Sequence, residues 1–251
     1  MAVDEWFFDR AQQVGETLWV RLYSWSEPAI TFGVNQDSQC AFDGARLGST
    51  PVIRRITGGR ALYHDCSELT YCVAVNLSAW ADLPWGTGRS SFQRCLAEAL
   101  VEFVTASGWE ADYCRRSAER DAQPAFFHKA ACFASSARYE VVAGGVKVAA
   151  SAACQRGAAI MQHGSIKLDG VAHHPALYYP ATNDVTGTDG LRPLSRRRWV
   201  AAGERFFKIL SARLGVDLAR AELGPAEMAE LESRAGRLRK AAWECRIFLN
   251  R

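Results

Sequence analysis

The sequence predicts one mixed α/β domain, and three observations carry that expectation. Short segments with apolar residues at every second position recur along the chain. Longer segments with helical spacing stand among and after them, opened by serine or proline and stopped by glycine. No repeat, low-complexity stretch or linker divides the 251 residues, so a single domain over 1–251 is the simplest organisation.

Residues 16–25, ETLWVRLYSW, set Leu18, Val20 and Leu22 against more polar neighbours and read as a strand. EPAITFGVNQD (27–37) reads as a second strand ending at Gly33, and AFDGARLGS (41–49) as a short helix. PVIRRI (51–56) enters a Gly-Gly turn as a strand, and ELTYCVAVNL (68–77) leaves it as another. The plainest helix is 90–108, with a serine cap, Phe92, Leu96, Leu100 and Phe103 on one face, and a glycine stop. Residues 114–131 read as a loop. From 137 to 168 the pattern predicts strands joined by tight turns at Gly144-Gly145 and near Gly157. Helices over 195–215 and 224–240 and a strand in WECRIFLNR complete the chain.

Composition excludes several function classes. Hydrophobic residues at 49% and charged residues at 23% are ordinary globular values. Thirty basic residues against 27 acidic ones leave +3, which gives no argument for nucleic acid. MAVDEWFFDRAQQ has no basic and apolar leader, and no apolar run is long enough to span a membrane, so a cytoplasmic protein without a membrane partner is expected. The eight cysteines show neither C-x-x-C spacing nor a histidine at a ligand interval, which argues against a metal site and against a disulfide framework.

Three clusters are candidates for chemistry. In RRITGGRALYHDCSELTY (54–71), Gly58 and Gly59 would let backbone N–H groups approach a phosphate or carbonyl oxygen, with Arg54, Arg55 and Arg60 around them. A plain turn with solvated arginines fits the same residues. In 132–152, Cys132 precedes a hairpin whose second strand carries Lys147, so the turn can bring thiol and amine together. An ordinary thiol has a pKa of about 8.5, and a nearby ammonium favours the nucleophilic thiolate. A buried thiol and a surface lysine are the alternative. In QHGSI (162–166), His163 is an acid/base group, a positioner or a satisfied core histidine, and the same choice applies to His64. His173-His174 read as loop residues.

Taken in order, VDEW, RLYSWSEPAITFGVNQD, RRITGGRALYHDCSELTY, CFASSARYEVV, GGVKVAASA and QHGSIKL resemble the lipoate-protein ligase A and octanoyltransferase family, which shares its catalytic fold with biotin protein ligases. The match is strongest over 3–168, with 190–251 a helical C-terminal part of the same domain. The resemblance implies a class II aminoacyl-tRNA synthetase and biotin synthetase-like fold, a mixed sheet flanked by helices. The Cys-Phe pair is similar to that of the LipM and LipL acyltransferases. It implies that Cys132 carries an octanoyl or lipoyl thioester and that Lys147 favours its thiolate. It implies Arg54, Arg55, Thr57, Gly58, Gly59, Arg60, His64, His163 and Gly164 as substrate-binding residues. The implied reaction moves an octanoyl or lipoyl group from acyl carrier protein, or a lipoyl carrier, to a lysine of a lipoyl domain. Glycine cleavage H protein and the E2 component of 2-oxoacid dehydrogenases are the implied acceptors. No cofactor is implied. The alternatives are an ATP- and Mg-dependent ligase working through an acyl-adenylate, or a non-catalytic acyl-binding homologue. No accessory domain of the size found in many such ligases is expected after residue 168. Two departures from the family pattern stand in the lysine strand: Ala150 replaces a glycine, and Ala153-Cys154 replace the usual glutamine region.

Overall fold

The structure, a computed structural model, describes residues 1–13, 18–80, 88–115, 132–134, 137–167, 174–177, 195–234 and, as backbone, 245–250. Helix α1 (Ala2–Gln12) precedes β1 (Leu18–Tyr23), β2 (Ala29–Phe32), α2 (Ser38–Ala41), β3 (Val52–Arg54), β4 (Leu62–His64) and β5 (Glu68–Asn76). Then come α3 (Arg89–Ala106), β6 (Ala111–Tyr113), β7 (Val141–Ala143), β8 (Val146–Arg156) and β9 (Ala159–Lys167). Helix α4 (Arg196–Leu214), β10 (Ala219–Ala221), α5 (Pro225–Arg234) and β11 (Cys245–Asn250) follow.

Eight strands form an antiparallel sheet in the order β10-β11-β1-β5-β9-β8-β7-β6, so the last described strand lies inside it, beside the first. A small second sheet pairs β2 with β3 in parallel and with β4 antiparallel. Alternation along the strands assigns the two faces of the large sheet. Leu18, Val20, Leu22, Leu69, Tyr71, Val73, Val75 and Ile160 face α3 and α4 and meet Phe92, Leu100, Phe103, Trp199, Phe206 and Leu210. Each such fully buried side chain contributes about 1.5–3 kcal/mol. The intervening Trp19, Cys72, Ala74 and Met161 pack on Trp6, Phe7, Phe8 and Ala11 of α1. Both faces of β1 and nearly all of β5 are therefore buried.

Several elements differ from the sequence-based expectation. Helix α3 has Gly88 at its N-cap with no side-chain bond, while the Ser90 hydroxyl lies 2.7 Å from the Tyr139 hydroxyl. The short helix expected over 41–49 resolves into α2, capped by Asp37, and a 3₁₀ turn at Gly44–Arg46, capped by Asp43. Helix α4 carries its serine cap, Ser195, and ends at the left-handed Gly215. Residues 116–131 of the loop expected over 114–131, and the end of the last helix, 235–240, lie outside the described residues.

Two local features place the candidate site. Between β7 and β8 the register steps from Val142↔Lys147 to Val141↔Ala149, one residue against two, which is a β-bulge. The extra residue sets Lys147 and Ala150, three positions apart, on the same face of the sheet. The second feature is the approach of the β2 end to the Gly-Gly loop. A Cβ on Gly33 would stand 2.1 Å from the Gly59 carbonyl oxygen and 2.8 Å from the Gly58 carbonyl carbon, and Gly59 itself has φ +94°. Gly33→Ala should therefore destabilise the protein by about 1–3 kcal/mol, as overpacking does. At about 2–4 °C per kcal/mol for this chain length, the melting temperature falls by several degrees. An unchanged melting temperature would contradict this close packing.

Candidate active site

Cys132 opens a 3₁₀ turn, Cys132–Ala134, which is fixed from both sides. Its N–H donates to the Ala61 carbonyl at 2.7 Å, tying the turn to the segment leading into β4. Its carbonyl accepts from Lys147 Nζ at 2.7 Å, tying it to β8. The same ammonium stands 3.4 Å from Cys132 Sγ and 2.6 Å from Glu140 Oε2. Lys147 and Glu140 are each only 4% exposed. Glu140 Oε2 also accepts from the Ala137 N–H at 2.6 Å. Phe133 packs with Leu62 and Ala150 and lies within cation–π reach of Lys147 (5.3 Å) and Lys167 (5.8 Å).

Cys132 lines a cavity of about 120 Å³, against the roughly 15 Å³ that one water needs. Gly59, Arg60 and Leu62 from the Gly-Gly loop and β4 line it, with Ala150, Ser151 and Ala152 from β8 and His163, Gly164 and Ser165 from β9. Of the residues that depart from the family pattern, Ala150 is in the cavity wall; Cys154 packs towards the α1 core.

The three arginines of the loop separate into different roles. Arg55 is buried, donating from Nη1 to Thr31 Oγ1 (2.7 Å) and from Nη2 to the carbonyls of Gly58 (3.2 Å) and Arg60 (3.0 Å). It holds the loop in shape while lining the cavity, and burial lowers its pKa to about 10. Arg60 lines the cavity with Nη2 3.5 Å from the Cys132 carbonyl. Arg54 is outside it, donating to the Val34 carbonyl at 3.0 Å and lying over the Phe32 ring. Gly58 turns its carbonyl to Arg55, and Thr57 is a buried support for His163 rather than part of the wall.

Both histidines line the cavity with their ring nitrogens engaged. His163 Nδ1 is 3.1 Å from Asp4 Oδ2 and Nε2 is 2.8 Å from Thr57 Oγ1. Asp4 in turn accepts from Arg21 at 2.7 Å and from the Tyr23 hydroxyl at 3.1 Å. His64 Nδ1 is 2.7 Å from Glu68 Oε1, Nε2 is 2.7 Å from Thr31 Oγ1, and the ring stacks on Trp25 at 4.2 Å. Burial lowers the pKa of both rings, so both are neutral near pH 7. Glu68 also binds Lys167 Nζ, which donates further to Asp65 Oδ2 (2.8 Å) and the Tyr63 carbonyl (3.1 Å). Burial opposes the charge of Glu68, yet Lys167 and His64 hold its carboxyl well below the usual range. His174, read from sequence as a loop residue, anchors its segment to Thr50 Oγ1 at 3.0 Å.

Glu140, which lines the cavity, and Lys167, which pairs with Glu68, are residues that the sequence reading passed over. Lys167 lies four residues after His163 on the same face of β9, and Glu140 lies seven before Lys147 around the Gly144-Gly145 turn. Strand period and hairpin pairing are the signals that point to them. Among the other described cysteines, burial raises the pKa of Cys66 and Cys72, and pushes Cys95 and Cys154 up to about 11. Among the described residues, no three His, Cys, Asp or Glu side chains group to hold a metal, and no helix is long and apolar enough to cross a membrane.

Residues 1–198 match the family described as the lipoyl protein ligase A/B catalytic domain. The chain belongs to that family. It is 37% identical over 173 residues to "Octanoyltransferase LipM" of Kyrpidia tusciae, covering 67% of this chain and 61% of that protein. It is 34% identical over 172 residues to the protein of that name from Clostridioides difficile, covering 67% and 60%. The chain thus spans about three-fifths of the length of these curated relatives. Among solved structures it resembles lipoate-protein ligase A bound with ATP, with a TM-score of 0.65 and 20% identity over 92% of this chain and 86% of that one. A bipartite lipoate protein ligase of Thermoplasma acidophilum gives 0.59 and 18% over 95% and 93%. These likenesses establish the fold of the family's catalytic domain, the mixed architecture expected from the sequence.

The two neutral histidines give the family member a pH signature. Their folded pKa values are lowered, so the unfolded chain binds protons first as pH falls. Stability is fully present above about 6.5, the unperturbed histidine value, and declines below it. Thermal melts from pH 8 to pH 5 should show the decline beginning near 6.5, and a flat profile down to 5.5 would contradict it.

Proposed function

We propose that this chain is an octanoyltransferase that uses Cys132 as its nucleophile and needs no cofactor. The observation that carries this reading is the Lys147 ammonium 3.4 Å from Cys132 Sγ at the wall of a partly apolar cavity. The ammonium favours the thiolate, which attacks the thioester carbonyl of octanoyl-acyl carrier protein. The donor's C–S bond breaks, its sulfur leaves as a thiolate that takes a proton from solvent, and the octanoyl group rests on Cys132. The amine of a lipoyl-domain lysine then forms the amide, and the Cys132 C–S bond breaks. Arg60, a cavity-lining cation, supports the charge developing on the carbonyl oxygen. Each methylene buried in the cavity contributes about 0.8 kcal/mol, which favours a medium chain over acetyl.

The whole of 1–251 is proposed to work as one catalytic domain in the cytoplasm, with glycine cleavage H protein or an E2 lipoyl domain as acceptor. The "Octanoyltransferase LipM" relatives support transfer over ligation, since the likeness to the ATP-bound ligase extends only to fold.

Incubation with octanoyl-acyl carrier protein alone should add one octanoyl group, labile to hydroxylamine, at Cys132. Apo lipoyl domain should then discharge it without ATP. Cys132→Ala should lower transfer by at least about a hundredfold while leaving the melting curve in place. Full activity of Cys132→Ala, or strict ATP dependence, would overturn the reading.

A further inference from the structure

An acyl group on Cys132 creates a hazard within the site. The Lys147 nitrogen, 3.4 Å from Sγ, is then beside a thioester carbonyl carbon, one bond from that sulfur. Amines attack thioesters, and the reaction needs a free lone pair on nitrogen. Attack by Lys147 would break the Cys132 C–S bond and form a stable amide on Nζ. The amine proton would pass to the departing sulfur, and the enzyme would be dead. Enforced proximity of this kind is worth effective molarities of about 10⁵ M or more in favourable cases. A small population of neutral amine would therefore suffice.

The bonding around Lys147 opposes this reaction. Glu140 Oε2 lies 2.6 Å from Nζ, and both side chains are almost wholly buried. A buried ammonium without a counter-charge is disfavoured, whereas a close carboxylate keeps the proton on nitrogen. The thiolate loses its charge once it is acylated, so from that step on Cys132 no longer supplies the counter-charge. Glu140 persists through the cycle. It is held by the Ala137 N–H at 2.6 Å and stands one residue before β7, whose Val142 is the cross-strand partner of Lys147.

We propose that Glu140 is a positioning residue that guards the acyl-enzyme, keeping Lys147 as a non-nucleophilic ammonium so that the acyl group leaves only to an external amine. This rests on the Cys132 thioester of the proposed function. Glu140 also lines the cavity, and in this role it acts through Lys147.

Wild-type enzyme, Glu140→Gln and Glu140→Asp are incubated with octanoyl-acyl carrier protein and no acceptor. Intact mass before and after hydroxylamine separates thioester from amide, and peptide mass spectrometry locates each. Wild type should hold a labile adduct on Cys132. Glu140→Gln should convert it to a hydroxylamine-resistant octanoyl amide on Lys147 at a rate at least about tenfold above wild type, as loss of about 1.4 kcal/mol of ion pairing would give. Glu140→Asp, which keeps the charge, should restrain the amide. A loaded Glu140→Gln whose Lys147 stays unmodified, or a Glu140→Asp that forms the amide as fast as Glu140→Gln, would overturn the proposal. Absence of any adduct on wild-type Cys132 would instead defeat the thioester reading beneath it.

Discussion

The Lys147 ammonium is the point on which the candidate site turns. It bonds the Cys132 carbonyl, lies against Cys132 Sγ, and pairs with Glu140, so one buried charge joins the 3₁₀ turn to the β7–β8 hairpin. Taking such a charge out of water costs several kcal/mol, and only close partners of good geometry offset it. The β8 bulge makes this possible. A regular strand would set Lys147 and Ala150 on opposite faces, and the amine would then point away from the wall formed by Ala150 and Ala152.

Around that centre a second polar chain keeps the cavity open. Arg55 donates to Thr31, whose hydroxyl meets His64; His64 meets Glu68, and Glu68 meets Lys167. The chain crosses from the Gly-Gly loop through the small sheet to β5 and β9, linking both walls of the cavity. Asp4, His163 and Thr57 make a parallel link from α1 to the same loop. Catalysis by a thiolate asks little of the protein beyond fixed charge and fixed approach, and both links supply fixity. Of their residues, Arg55, Thr57, His64 and His163 were expected at the substrate; Arg55 and both histidines line the cavity while bracing it, and Thr57 supports His163.

Much of this was legible in the sequence. Alternation in 18–23 gives β1, the segment leaving the Gly-Gly turn gives β5, and Gly144-Gly145 and Gly157 give the turns of the β7–β9 meander. The Cys132–Lys147 approach followed from a hairpin and a resemblance. The rest depends on tertiary facts that no local pattern carries. Helix α1 interrupts its apolar run with Asp4, which is buried because Arg21 and His163 wait on the sheet. Strands β6 and β10 are three residues each, too short for a period to show. Arg54 and Arg55 are adjacent and identical, and only their packing makes one an internal strut and the other a surface stack.

The account is tested most directly by the chemical reactivity of Cys132 itself. Alkylation by iodoacetamide at pH 7, followed residue by residue by mass spectrometry, reports thiolate that is both formed and accessible. In the wild-type protein Cys132 should react faster than Cys72, Cys95 and Cys154, whose thiols burial holds protonated, and Lys147→Met should slow Cys132 by at least about tenfold at this pH while leaving those three unchanged. Equal rates at Cys132 in the two proteins would contradict the claim that this ammonium makes the site.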